Sequence, residues 1–262
     1  GEALWCAGSS LVPLALLRGE GATKEYCQLG TVERFQPLQG AWESLPPLPT
    51  ARAGCAAVAC DGLLYVLGGR VQEAVQAVVE RLDTKTERWE RLPPMPSARS
   101  GGAAAAAGGL LYALGGKSSS GVVQSAAECF DPSIGRWWTL PSMLVPRSAF
   151  AAGSLLGTVH VAGGFDGSQG VASCENFNPV VGSWEWLSPM ASTRVGGAAA
   201  VTNGKLYVFG GKAVGPDAAA AGEFFDPKNK SWSPLPCMSG RQVYCAGAAV
   251  VSAGSPVLHE AP

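Results

Sequence analysis

Five arginines (Arg52, Arg99, Arg147, Arg194, Arg241) and five glutamates (Glu33, Glu80, Glu128, Glu175, Glu223) recur in step along the chain. Charged groups in such a pattern can do two kinds of chemistry. A guanidinium fork can hold a carboxylate or an acidic sugar, with a carboxylate nearby to move a proton. Buried, the same groups can tie backbone together, because a guanidinium offers five donors and a carboxylate accepts several bonds. Every unit carries one of each, so the recurrence points to scaffold. Each arginine is expected to satisfy backbone carbonyls between neighbouring units. Each glutamate is expected to accept backbone hydrogen bonds, since burying a carboxylate without partners is costly. Other catalytic chemistry is thin. Only two histidines are present, His160 and His259. No His, Cys and carboxylate cluster has metal-ligand spacing, and no nucleophile elbow or phosphate loop occurs. No metal or cofactor is expected, and the chain is expected not to be an enzyme.

The spacing around these residues defines a repeat. Glycine pairs begin at Gly68, Gly115, Gly163 and Gly210, in steps of 47, 48 and 47 residues. A tryptophan lies nine residues after each glutamate: Trp42, Trp89, Trp137, Trp184 and Trp232. An arginine follows nine or ten residues later, and the next glycine pair begins 16 residues after it. A period of 40–50 residues marks a repeat architecture and sets the fold before any local assignment. The tryptophans, one per unit, are expected to pack unit against unit.

Within one unit the elements read as short strands. Ala56-Ala57-Val58-Ala59 is small, Asp61-Gly62 signals a hairpin, and Leu63 to Leu67 runs into the glycine pair. That second run has no polar face, as expected of a strand covered on both sides. Val78 to Leu82 is a third strand, Asp83 to Thr86 a turn, and Arg88 to Leu92 a fourth. Pro93, Pro94 and Pro96 then exclude regular structure. The first strands of later units are equally small (Ala103 to Ala107, Ala198 to Val201), which suits strands crowded round an axis. The expectation is an all-β fold, a β-propeller of four-stranded antiparallel blades.

The motif residues carry a resemblance. Gly-Gly after an apolar strand, then Glu-x-Phe-Asp-Pro, Trp and Leu-Pro-x-Met-x-x-x-Arg, resembles the kelch repeat. It covers essentially residues 1–252, with departures at Gly8-Ser9, Gln36, Thr84 and His160. Blade 1 is expected over 1–48 plus a C-terminal strand, 245–252. Blades 2 to 5 are expected at 52–96, 99–144, 147–191 and 194–238, with a tail at 253–262. The closing strand would complete blade 1 and make a five-bladed ring; an incomplete six-bladed propeller is the alternative.

Function is sought where blades differ. The second-to-third connections and the blade-to-blade connections share one face and are the longer, more variable set. Just after the glycine pairs stand Arg70, Lys117, Phe165 and Lys212, with Asp166 beside Phe165. Three cations on one rim suit an acidic peptide. Blade 1 carries an insertion of about a dozen residues, holding Lys24 and Tyr26, that is either a recognition loop, a flexible insertion or an extra packed strand. The resemblance implies a protein-interaction module, and more narrowly the substrate-recognition domain of a BTB–BACK–kelch adaptor for a cullin-type ubiquitin ligase. It also leaves open a sugar-acting kelch enzyme such as a sialic-acid mutarotase, and actin or cytoskeletal binding.

Composition adds exclusions. The net charge is −1, which gives no electrostatic basis for nucleic acid or an anionic membrane. No apolar run reaches the ~18 residues of a membrane span. The chain opens on Gly1 without a secretory pattern and is expected to be a domain of something longer. Eight cysteines show no CxxC pair or regular framework, so they are expected to be reduced, in the cytoplasm or nucleus.

Overall fold

The computed structural model describes residues 30–36, 39–212 and 221–237, and the strand backbone of 2–3, 8–9, 14–17, 19–20 and 250–251. All regular structure among them is β, and no helix is long and apolar enough to cross a membrane. Four antiparallel sheets of four strands follow one another. Blade 2 comprises Ala56–Cys60, Leu63–Leu67, Val79–Asp83 and Arg88–Leu92. Blade 3 comprises Ala103–Ala107, Leu110–Leu114, Ala127–Asp131 and Arg136–Leu140. Blade 4 comprises Ala151–Leu155, Thr158–Ala162, Cys174–Asn178 and Ser183–Leu187. Blade 5 comprises Val195–Thr202, Lys205–Lys212, Ala221–Asp226 and Ser231–Cys237. Strand order within each sheet is sequential, as a β-propeller requires.

The core lies between blades. One apolar slab joins blades 1 and 2, the next 2 and 3, then 3 and 4, then 4 and 5. Alternation along the second strand explains its unbroken apolar character. In blade 2, Leu64 and Val66 enter the slab shared with blade 1, while Tyr65 and Leu67 enter the slab shared with blade 3. Alanine in the first strands keeps that slab thin where blades converge, as at Ala105, Ala107 and Ala199.

Blade 1 differs from the sequence expectation. The strand bonded to Val32–Gln36 is Leu14–Leu17, in register Leu14 to Phe35. Ala41–Leu45 completes a three-stranded sheet. Glu2–Ala3 pairs with Gly19–Glu20, so part of the insertion has strand backbone. Val250–Val251 pairs in parallel with Gly8–Ser9 and is not in the three-stranded sheet. The rest of the expected closing strand, and with it the closure of the ring, lies outside the described residues.

Candidate functional site

In blades 2 to 5 the recurring arginines and glutamates form buried ion pairs. Arg52 pairs with Glu80, Arg99 with Glu128 at 2.9 Å, Arg147 with Glu175 at 2.7 Å, and Arg194 with Glu223 at 3.2 Å. Each guanidinium also binds carbonyls, but of its own blade and the segment entering it, not between neighbouring blades as expected. Arg147 Nη1 donates to the carbonyls of Gly163 and Ser173 at 2.8 and 2.9 Å, and Nη2 to Ser173 Oγ at 2.9 Å. Glu175 accepts the Leu144 and Val145 N–H groups at 2.6 and 3.2 Å. Glu223 accepts those of Ala191 and Ser192. Burial holds the Arg99 guanidinium below its ordinary pKa, against the opposing pull of Glu128. These groups clamp the third strand to the segment entering the blade. Arg241 falls outside the described residues.

Three joints then hold blade to blade. The indole N–H groups of Trp89, Trp137, Trp184 and Trp232 donate to the carbonyls of Pro46, Pro93, Pro141 and Ser188, each in the preceding blade's exit segment, at 2.8–3.0 Å. The second glycine of each pair donates to the next blade's arginine carbonyl: Gly69 to Arg99, Gly116 to Arg147, Gly164 to Arg194. A Cβ on Gly115 would stand 2.5 Å from the Arg147 carbonyl oxygen, so this approach needs glycine. The third joint was not anticipated. Gly101 N–H donates to Gly54, Ala149 to Gly101, and Gly196 to Ala149, at 2.7–2.8 Å. All four residues lie two beyond a repeat arginine and have positive φ, including the alanine at 50°. The recurrent Arg-x-Gly at 52–54, 99–101 and 194–196 was the available signal.

The long-loop face is set on this frame. Loop and exit segment are stitched together: Met95 and Arg99 N–H bind the Ala77 and Gln76 carbonyls, and Met143 and Arg147 repeat this on Ser125 and Gln124. The candidate rim residues occupy one equivalent place in four blades. Arg70 bridges Ala53, Lys117 bridges Ser100, Phe165 bridges Ser148, and Lys212 pairs with Val195. Lys117 and Lys212 are exposed, while Arg70, Phe165 and Asp166 are half-buried. Lys117 Nζ lies 5.8 Å from the Phe165 ring centroid, joining blades 3 and 4 by a cation–π contact. Asp166 Oδ1 accepts bonds from Ser168 N, Ser168 Oγ and Gln169 N at 2.7–2.8 Å, which pull its pKa below the usual carboxylate value. That carboxylate shapes its own loop. Lys24 and Tyr26 lie outside the described residues.

His160 and four cysteines belong to the core. His160 is buried 6.0 Å from the Phe225 ring centroid, and burial pushes its pKa down to about 4. Cys55, Cys60, Cys129 and Cys174 are free and buried, with burial raising each thiol, Cys174 to about 12. Among the described residues no group of His, Cys, Asp and Glu is placed to hold a metal ion.

The Kelch motif profile matches residues 51–96, 98–144, 146–191 and 193–239, one match per blade from 2 to 5. The chain belongs to the kelch-repeat family. Kelch domain-containing protein 8B of Homo sapiens is 41% identical over 58 residues, 22% of this chain and 16% of that protein. Kelch-like protein 35 of Mus musculus is 42% identical over 48 residues, 18% of this chain and 8% of that protein. The aligned segments thus span less than a fifth of these relatives. The solved structure of YjhT superposes with a TM-score of 0.73 at 18% identity, covering 86% of this chain and 81% of that one. That likeness concerns the kelch fold.

Proposed function

We propose that this kelch domain is a non-catalytic interaction module that takes an acidic peptide or protein segment on its long-loop face. The observation that carries the reading is the rim itself. Arg70, Lys117 and Lys212 occupy equivalent bridge positions in three blades, with Phe165 at the same place in the fourth. Cations beside an accessible aromatic edge match a ligand with carboxylates and one apolar anchor. By its resemblance to BTB–kelch adaptors, the module recognises substrates for a cullin-type ubiquitin ligase in the cytoplasm. The arginine and glutamate groups that a sugar-acting reading needs are instead bonded to each other and to backbone in the four described pairs.

The test is a comparison of partners captured from cell extract by the unaltered chain and by Lys117→Glu and Lys212→Glu. Loss of the same proteins from both variants is expected, with each reversal weakening an isolated acidic target peptide by roughly tenfold at low salt. An unchanged set of captured proteins overturns the basic rim. Turnover of sialic acids would restore the enzymatic alternative, and co-sedimentation with filaments the cytoskeletal one.

A further inference from the structure

The outer mouth of the groove between blades 3 and 4 is unlike every other described groove. Each repeat tryptophan faces the preceding blade, as the indole bonds show. Side chains alternate along a strand, so Trp138, next to Trp137, faces forward to blade 4. Leu140, two residues on, packs in the slab between blades 3 and 4 and confirms that side. By the same alternation Trp186, two residues after Trp184, faces back to blade 3. The two indoles therefore flank one groove from opposite walls. In the other blades the first of these positions holds Glu43, Glu90, Glu185 or Ser233, and the second Ser44, Arg91, Thr139 or Pro234.

The short-turn face departs in the same two blades. Ile134 tips the third-to-fourth turn of blade 3, and Val180 and Val181 tip that of blade 4. Leu156 tips the first-to-second turn of blade 4. The equivalent third-to-fourth turns carry Lys85 and Glu87 in blade 2, and Lys228 and Lys230 in blade 5. Relative exposures are 39% for Trp138, 58% for Trp186, 63% for Ile134, 95% for Val180, 67% for Val181 and 78% for Leu156. At the usual area per side chain this amounts to roughly 500–600 Å² of apolar surface. It stands at the upper end of the largest patch on an ordinary monomer, about 300–600 Å².

We propose that this surface is the interface of a homodimer, in which a second copy of the chain covers the blade 3 and 4 short turns and the Trp138–Trp186 groove. Area argues for a second copy. A standard interface covers about 800 Å² on each partner, and about 65% of a homodimer interface is apolar, or about 520 Å². The patch supplies that amount. Its turn tips carry no charge, so they offer nothing to select a charged heterologous partner, whereas a two-fold contact needs only self-complementarity. The long-loop rim lies on the opposite face and stays open.

Sedimentation velocity from about 1 to 100 μM tests the assignment, on the unaltered chain and on Val181→Lys, Trp186→Ser and the control Val122→Lys. Val122 is as exposed as Ile134 but belongs to the long-loop face. Circular dichroism checks that each variant keeps its β fold; all three substituted side chains are exposed, so folding is expected to survive. The unaltered chain and the control are expected to sediment at twice the chain mass, with association weakened by about 30-fold or more in the other two. A chain monomeric throughout, patch variants that dimerise as tightly as the original, or a control that dissociates with them overturns the proposal. So does a chain that is monomeric alone and shields Trp186 only when a different protein is added.

Discussion

Arg147 and Glu175 show what a kelch blade asks of a charge. Neither reaches solvent, and together they bind two carbonyls of blade 4 and two N–H groups of the segment entering it. Removing one partner leaves a buried charge without its counterpart. Glu175→Gln is therefore expected to cost about 3–5 kcal/mol, read as a lower urea midpoint at unchanged slope. His160 gives a pH-dependent prediction. An unfolded histidine takes a proton near 6.5, while His160 in place resists it down to about 4. Between those values the unfolded chain binds more protons, so stability falls as pH drops from 6.5 toward 4 and is unaffected by this group above 6.5. The loss amounts to at most about 3 kcal/mol. His160→Tyr, the residue type at the equivalent positions 65, 112 and 207, is expected to flatten that part of the profile in thermal melts at pH 4.5 and 7. The four buried thiols are expected to stay unlabelled by a thiol reagent until the chain unfolds.

At the scale of the element, the strands were legible and the joints were not. Period, glycine pairs and proline breaks located four strands per blade, because those signals act within about ten residues. The Arg–Glu pairs unite residues 28 or 29 apart, and each indole finds its acceptor 43 or 44 residues upstream. No local pattern reveals such partners, although the fixed spacing announced that each residue mattered. In blade 1 the strand beside Val32–Gln36 is Leu14–Leu17, which follows Gly8-Ser9, whereas in the later blades that strand precedes the glycine pair. The candidate rim was legible in place but not in use: the sequence could not show that Asp166 is engaged by its own loop or that Lys117 sits over Phe165. Two substitutions test the joints. Trp137→Phe keeps the ring against Phe130 but loses the bond to Pro93, an expected loss of about 1 kcal/mol. Ala149→Gly relieves a side chain held at positive φ and is expected to raise the melting temperature by a few degrees, since that strain of about 1–2 kcal/mol exceeds the added chain entropy.

The whole molecule separates scaffold from contact surfaces. Ion pairs and indole bonds repeat with little change, while the rim residues vary in type from blade to blade and the apolar turns belong to blades 3 and 4. Lys117→Glu is therefore expected to weaken ligand binding and its salt dependence while leaving the melting temperature within about 2 °C of the original, as exposed charges contribute little to stability. The direction of the indole bonds has a further consequence. Every one runs from a later blade to an earlier one: Trp89 to Pro46, Trp137 to Pro93, Trp184 to Pro141, Trp232 to Ser188. A chain made from its N-terminus thus presents each acceptor before the tryptophan that needs it leaves the ribosome. Blades can dock in the order of synthesis, each new one completing a seam whose other half already stands, so that a pause in translation strands whole blades rather than half-made joints.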